Sequence, residues 1–156
     1  MRQPDHEKGR KKKVVRHTDL EVYQRACAVA MKLFKLSKSF PGEEKYSLTD
    51  QMPRSSRSIA ANIAEGWRKR RYQASFVSKL NDSEGEAAES QVWLQFAVES
   101  GYLQAEATRP LYQELDDIIA MLVNMQNHPE PSRTVVSHEK ALTLAGNLPL
   151  SPLLIV

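Results

Sequence analysis

The feature that most constrains the fold is the segment from Arg54 to Arg71, which joins an amphipathic pattern, a glycine and a basic cluster. At about 100° per residue, apolar and small side chains share one arc here and just before it. These are Leu48, Met52, Ile59, Ala60, Ile63 and Trp67. Arg54, Arg57 and Arg68 fall on the opposite side. The pattern predicts a helix that buries one face and exposes a basic one.

The ends of this helix can also be predicted. A helix over about 47–65 has Pro53 beyond its first turn, which predicts a kink or a later start. Gly66 is suited to end the helix, because a glycine after the last turn readily adopts positive φ. The basic residues Arg68, Lys69, Arg70 and Arg71 would then follow the end of the helix.

Three further segments show helical periodicity, over about 19–38, 73–100 and 108–126. Asp19 or Thr18 is expected to cap the first, Gly101 to end the third, and Thr108 to cap the fourth. Gly85 weakens the third helix, a cost that the close approach of a neighbouring helix would offset. Connections are short, so we predict an all-α, antiparallel, up-down-up-down four-helix bundle over 19–126.

Both ends of the chain differ in composition from the bundle. Residues 1–18 carry a net charge of +5 and few apolar residues, so a disordered basic arm is predicted. Residues 127–156 contain four prolines and are predicted to be a disordered tail. An alternative for the apolar end of this tail is a short anchor for a partner or a neighbouring subunit.

Two basic clusters are candidates for nucleic-acid binding. The arm cluster contains Arg10, Lys11, Lys12, Lys13 and Arg16. The helical cluster contains Arg54, Arg57, Arg68, Lys69, Arg70 and Arg71, with Tyr72 beside them. Arginine binds phosphate through a bidentate fork, and tyrosine can stack on an exposed base. The alternative is that these charges only confer solubility.

Catalytic and metal-binding patterns are missing from the predicted bundle. The four histidines, His6, His17, His128 and His138, all lie outside 19–126, and Cys27 is the single cysteine. A di-iron bundle needs inward Glu-x-x-His pairs, and a zinc site needs clustered Cys or His. We therefore expect no enzyme activity, no metal and no cofactor. The chain has no apolar leader and no long apolar run, so we expect a cytoplasmic protein without a membrane partner.

The third helix is apolar on more than one side. Trp93 and Phe96 lie off the stripe that runs from Leu80 to Leu94. A monomeric bundle would leave part of this surface in water, whereas exposed aromatic patches often mark interfaces. Subunit association is therefore expected, with coverage by loops or helix ends as the alternative.

The motif Ser58–Trp67, preceded by Gln51 and Arg54 and followed by the basic turn, resembles the bacterial four-helix-bundle proteins named after 23S rRNA intervening sequences. The resemblance extends over about 19–126, through Asp19–Tyr23, Phe76, Leu80, Ser83–Glu89 and Gly101–Leu103. Pro53 departs from it, because an ordinary helix former is expected there.

The resemblance implies a ring, most simply a homopentamer, with no catalytic residues to carry over. A related branch of the family accompanies the reverse transcriptase of diversity-generating retroelements, where a basic ring helps to hold RNA and enzyme together. The partners implied are RNA, a reverse transcriptase or a ribosomal component. We therefore expect a non-enzymatic, oligomeric RNA-binding or nucleoprotein-accessory protein. The alternative is a protein-interaction scaffold without nucleic-acid contact.

Overall fold

A computed structural model describes residues 14–129 of the chain. The described part contains four α-helices and no strand, which confirms the all-α fold class. The helices are α1 (Glu21–Ser37), α2 (Leu48–Lys69), α3 (Gln73–Glu99) and α4 (Ala105–Asn127), with 3₁₀ turns η1 (His17–Asp19) and η2 (Gly42–Glu44). Most of the predicted arm and tail lies outside the described residues.

Helices α2 and α3 are antiparallel and closely packed. The Ser83 hydroxyl donates a hydrogen bond of 2.9 Å to the Ile59 carbonyl oxygen. Further along α3, the Ser90 hydroxyl donates a hydrogen bond of 2.9 Å to Ser55 Oγ. Residue numbers therefore increase along α3 in the direction in which they decrease along α2. Ala87 is fully buried between these two serines. Small side chains let the backbones approach, and the hydroxyls satisfy polar groups that the approach buries.

Helix α4 returns antiparallel to α3. The Gln91 side-chain amide donates to Asp116 Oδ1 at 2.7 Å, and that of Gln126 donates to Glu84 Oε2 at 2.7 Å. Early residues of α3 therefore face late residues of α4. These amide–carboxylate contacts lie at the edge of the core, where partial burial strengthens a charge-assisted hydrogen bond.

The connections after α1 and after α3 meet at one end of the bundle. The Tyr102 hydroxyl donates to Glu44 Oε1 at 3.1 Å, and its ring lies 5.8 Å from that of Phe40. Helices α1 and α3 therefore run in the same direction, and α2 and α4 run against them. These contacts agree with the predicted up-down-up-down order. The beginnings of α1 and α3 and the ends of α2 and α4 lie together at the opposite end.

The prediction that Gly66 ends the second helix is wrong, and no other helix of the described residues approaches Gly85 closely. Helix α2 continues to Lys69, and Gly66 is buried inside it. A Cβ at Gly66 would lie 3.2 Å from Cβ of Lys79, so glycine is needed here for the approach of α3. At Gly85, by contrast, a Cβ would meet no atom within 4 Å. Gly101 does end α3, with φ of +75°.

Helix α2 begins at Leu48, one residue after the expected start, so Pro53 lies within the helix and is buried. Two other helix starts differ from the sequence-based expectation. Helix α4 begins at Ala105, and the Thr108 hydroxyl bonds back to the Ala105 carbonyl oxygen at 3.0 Å instead of capping. Asp19, the last residue of η1, accepts hydrogen bonds from the amides of Val15 and Arg16 just before that turn, and α1 starts two residues later. Local hydrogen bonds by short polar side chains compete with the N-cap role, which shifts these boundaries.

Candidate nucleic-acid interface

The basic corner, residues 68–72, connects α2 to α3. Arg68 and Lys69 complete the last turn of α2, and the Tyr72 amide donates to the Lys69 carbonyl oxygen at 2.9 Å. Tyr72 then precedes the first residue of α3 as its N-cap, in an extended conformation. The turn is compact because α2 and α3 are in close contact beside it, where Phe76 packs against Gly66.

Two cations of the basic corner are engaged within the chain. Arg70 Nη1 donates to the Trp67 carbonyl oxygen at 2.7 Å, and its guanidinium lies 4.5 Å from the Trp67 ring centroid. Lys69 Nζ is 2.5 Å from Glu65 Oε1, and Lys79 reaches the other oxygen of Glu65 at 3.3 Å. The hydrogen bonds from Lys69 and Lys79 lower the pKa of Glu65. Arg70 therefore helps to end α2, and the charge of Lys69 is partly neutralised.

The other members of the corner remain available. Arg68 and Arg71 are exposed, and neither has an ion pair with any residue between 14 and 129. The Tyr72 side chain is 73% exposed. It makes no capping hydrogen bond to α3, so its side chain does not satisfy the first amides of that helix, which begins directly after the corner. This combination of two arginine forks, an exposed ring and helix amides is suited to a phosphate next to an unstacked base.

Arg54 and Arg57 lie on the predicted outer face of α2 but at a distance from the corner. Fourteen residues separate Arg54 from Arg68, which corresponds to about 21 Å along a helix. Arg54 pairs with Asp50 at 3.5 Å, and the guanidinium of Arg57 lies 4.6 Å from the centroid of the Phe34 ring. The structure therefore does not join these two arginines to the corner as one continuous site.

The arm cluster is only partly within the described residues. Arg16 is exposed, directly before η1, whereas Arg10–Lys13 lie outside the described residues. Val14 packs against the core, and η1 contacts α2. Because α1 starts at the end of the bundle where α2 finishes, the chain enters the bundle at the same end as the basic corner.

Sequence reasoning missed two features of this end. Lys79 comes close to the corner through Glu65, and its partners Asp82 and Glu65 raise its pKa. In the sequence, Lys79 and Asp82 are three residues apart, a spacing that could have predicted their ion pair on one face of the helix. The other feature is the buried Gly66, whose contact with α3 fixes where the corner lies. A glycine that follows a helical pattern is typical both of a helix end and of a close approach between helices, and the sequence alone does not distinguish the two.

The described residues offer little for other chemistry. Between residues 14 and 129, no three His, Cys, Asp or Glu side chains are grouped so that they could hold a metal ion. Beside the corner, a shallow open groove between α3 and α4 is lined by Ala74, Val77, Ser78, Asn81 and Gln126, among others. Among the described helices, none has the length and apolar character that a membrane crossing requires.

Comparison with known proteins bears on the same four helices. The family model described as 23S rRNA-intervening sequence protein matches residues 18–124. A solved structure of a protein with unknown function from the S23 ribosomal protein family of Bacteroides thetaiotaomicron VPI-5482 is similar, with a TM-score of 0.62 and 27% identity. The match covers 68% of this chain and 95% of that one. No curated protein matches the chain. The chain belongs to the 23S rRNA-intervening sequence protein family.

Proposed function

We propose that this protein is a non-enzymatic, oligomeric nucleic-acid-binding protein that acts as an accessory in a cytoplasmic ribonucleoprotein. Its ligand is single-stranded or irregular RNA, bound through phosphates with little sequence preference. The assembly is a ring of identical subunits, five in the simplest case. A reverse transcriptase or a ribosomal component is the class of protein that would share the RNA.

The observation that carries this proposal is the exposed trio Arg68, Arg71 and Tyr72 at the α2–α3 corner. The two guanidinium groups have no carboxylate partner among residues 14–129, so binding a phosphate would not first break an ion pair. The positive end of the α3 dipole adds to the same field. Arg16 precedes η1 at the same end of the bundle and would supplement these contacts.

Repetition in a ring compensates for the small number of contacts per subunit. Two arginines and one tyrosine would bind RNA weakly on a monomer. When each subunit of a ring presents the same corner, the second contact becomes intramolecular and the avidity rises without new contacts. The bases need no specific recognition, because every base has a face that can stack on tyrosine.

The test replaces Arg68 and Arg71 with alanine and measures affinity for a mixed-sequence single-stranded RNA at several salt concentrations. Each lost phosphate contact lowers the salt slope by about 0.7, so the double variant should lose about 1.4 per bound subunit. Affinity at about 50 mM salt should fall for all sequences. Arg70 is kept, because its contact with Trp67 is structural.

A matched control removes the same charge elsewhere. Lys45→Ala with Arg109→Ala changes two exposed cations at the opposite end of the bundle, where the connections after α1 and α3 lie. It should bind RNA like the parent protein. Equal binding and equal salt slope in the Arg68/Arg71 variant and the parent would contradict this site.

A protein-interaction scaffold is the second candidate, and a specific observation favours it. Arg54, Arg57, Lys69 and Arg70 all have partners within the chain, which leaves fewer free cations than the sequence pattern suggests. In that case the parent protein would not bind RNA at about 50 mM salt, where a polyelectrolyte contact is strong. It would still assemble with itself.

A further inference from the structure

The outer face of α3 carries a second uncharged stripe, opposite to its core stripe. Its members recur every three or four residues, and all are exposed. They are Ser78, Asn81, Gly85, Ala88, Val92 and Phe96. Val92 is 45% exposed and Phe96 is 50% exposed. A helix with a core stripe and a separate uncharged outer stripe has the pattern of an element that packs against a second partner.

Acidic side chains flank this stripe. Residues 80–99 contain the acids Asp82, Glu84, Glu86, Glu89 and Glu99 and no lysine or arginine. Burial and then the neighbouring charge of Glu89 raise the pKa of Glu86, although Arg54 opposes the effect. Lys79, just before this segment, pairs with Asp82 at 3.1 Å. The surface therefore combines a strip of small and apolar groups with negative charge that is only partly balanced.

The acids disfavour a symmetric pairing of this stripe with itself. In a two-fold contact centred on Gly85 and Ala88, Glu89 of each copy would approach the acids of the other copy, of which Lys79 balances Asp82. Like charges placed opposite each other cost binding free energy. The stripe therefore needs a partner surface of different composition, one that is both apolar and basic.

Helix α1 provides such a surface on the other side of the bundle. Its outer face presents Ala28 and Met31, and the Met31 side chain is 50% exposed. Lys32, Lys35 and Lys38 surround Met31 on this face, and α1 has no acid after Glu21. This combination of apolar and basic groups complements the α3 stripe in charge.

The two faces also correspond in height along the bundle. Phe34 of α1 packs against Arg57 of α2. Arg57 lies midway between Ser55 and Ile59, which are hydrogen-bonded to Ser90 and Ser83 of α3, so Phe34 lies level with the middle of residues 83–90. Met31, one turn before Phe34, therefore lies near the height of Gly85. In a ring whose axis follows the helices, equal heights face each other. The space at Gly85, where a Cβ would meet no atom within 4 Å, would accommodate the Met31 side chain.

We propose that the outer stripe of α3 binds the outer face of α1 of a second copy of this chain, head to tail, with Met31 of one copy over Gly85 of the next. The inference rests on the oligomeric part of the proposed function and specifies its interface. Because the two faces differ, the contact is heterologous, and equal heights of the two faces allow it to close into a ring instead of a filament. Arg68 and Arg71 stay outside the interface, at one rim.

The test uses two single variants of the full chain and their mixture. Met31→Glu damages the α1 face and Val92→Glu damages the α3 face, both at exposed positions where the fold tolerates the change. Each variant alone should weaken self-association on the order of 100-fold, because an unpaired charge is introduced beside acids or into an apolar contact. Mixed together, they should form a one-to-one dimer of twice 17.7 kDa, measured by light scattering.

Two controls accompany the mixture. Val123→Glu makes the same change at an exposed position on α4, and it should leave the parent mass unchanged. Lys35→Glu and Glu89→Lys should each weaken assembly, and the double variant should restore it. Helical circular dichroism and melting temperature report whether each variant is folded. A variant that is folded and keeps the parent mass therefore shows that its substituted residue does not support the interface.

The possible outcomes separate this interface from the function. A monomeric parent protein at micromolar concentration would overturn the oligomeric part of the proposed function together with this interface. A parent oligomer that neither variant dissociates would overturn only the interface. Monomers that do not pair on mixing would indicate a symmetric contact and overturn the head-to-tail arrangement. Dissociation by Val92→Glu alone would indicate another occupant of the stripe, such as residues 130–156, and would also overturn it.

Discussion

The α2–α3 interface and the α1–α4 interface hold the same bundle together by different means. Between α2 and α3, small side chains bring the backbones close, and serine hydroxyls bond across the gap. Between α1 and α4, Arg25 bonds both oxygens of Glu114 at 2.7 and 3.0 Å and Asp117 at 2.7 Å. The carboxylates raise the pKa of Arg25.

The difference shows how each interface responds to change. The α2–α3 contact depends on volume, because close-packed interiors cannot absorb an added group without strain. The α1–α4 contact depends on a charge network of Arg25, Glu114 and Asp117, with Glu21 of α1 at 3.8 Å from Arg25. This network is only partly buried, and solvent weakens such networks. We therefore expect the bundle to be more sensitive to a larger side chain in the first interface than to the loss of a charge in the second.

Ser83→Leu should have the largest effect. The change adds volume at a fully buried position between α2 and α3 and removes the hydrogen bond to Ile59. We expect the free energy of unfolding to fall by about 3 kcal/mol, from overpacking and the lost hydrogen bond. Chemical denaturation of the purified protein measures it.

The control for this substitution is Ser83→Ala, which keeps the space and loses only the hydrogen bond. It should cost about 1 kcal/mol. If leucine and alanine were equally tolerated at this position, the interface would not depend on close approach, and the role assigned to its small side chains would be wrong.

Arg25→Ala should have the second largest effect, a loss of about 2 kcal/mol. The substitution leaves Glu114 and Asp117 partly buried next to each other without their cation. Thermal unfolding of the variant and the parent protein measures the loss.

A triple variant separates the charge network from simple packing. Arg25→Met with Glu114→Gln and Asp117→Asn removes all three charges together and should cost much less than Arg25→Ala alone. An equal loss in the triple variant would mean that the unpaired acids are not the cause, because methionine keeps most of the apolar stem of Arg25. The hydrogen bonds of the guanidinium would then be the stabilising contacts.

The contrast between interfaces also explains how far the sequence could predict the fold. Apolar periodicity identified all four helices, because each buries one stripe in the core. Glycine was ambiguous: Gly101 ends a helix, whereas Gly66 lies inside one. Periodicity in one segment contains no information about which helix approaches it. The Arg25 network joins residues about 90 positions apart, and no local pattern connects them.

The candidate site was predictable in the same limited sense. Spacing correctly placed Arg54 and Arg57 on the exposed side of α2, and composition identified the cluster 68–71. Which of these cations are free depends on partners: Trp67 for Arg70, Glu65 for Lys69 and Phe34 for Arg57. Composition treats every arginine alike, and only the fold separates Arg68 and Arg71 from the others.

The smallest predicted effect comes from one substitution made at two glycines. Gly85→Ala should stabilise the chain by about 1 kcal/mol, because alanine has the higher helix propensity and the added methyl group meets no atom within 4 Å. Gly66→Ala gains the same propensity, but its methyl group would lie 3.2 Å from Lys79 Cβ. That contact is tight enough to push α3 away, so the gain should be cancelled or reversed.

Denaturation at low protein concentration measures the pair, because it keeps self-association out of the comparison. A ranking with Gly66→Ala above Gly85→Ala would contradict the close approach of α2 and α3 at Gly66. At high protein concentration, Gly85→Ala should also differ from the parent protein in self-association. There the methyl group of Gly85→Ala would occupy space expected for Met31 of the next copy, and self-association should weaken although each subunit is more stable. Unchanged self-association would mean that Gly85 is not part of the interface and that the contact lies elsewhere along the α3 stripe.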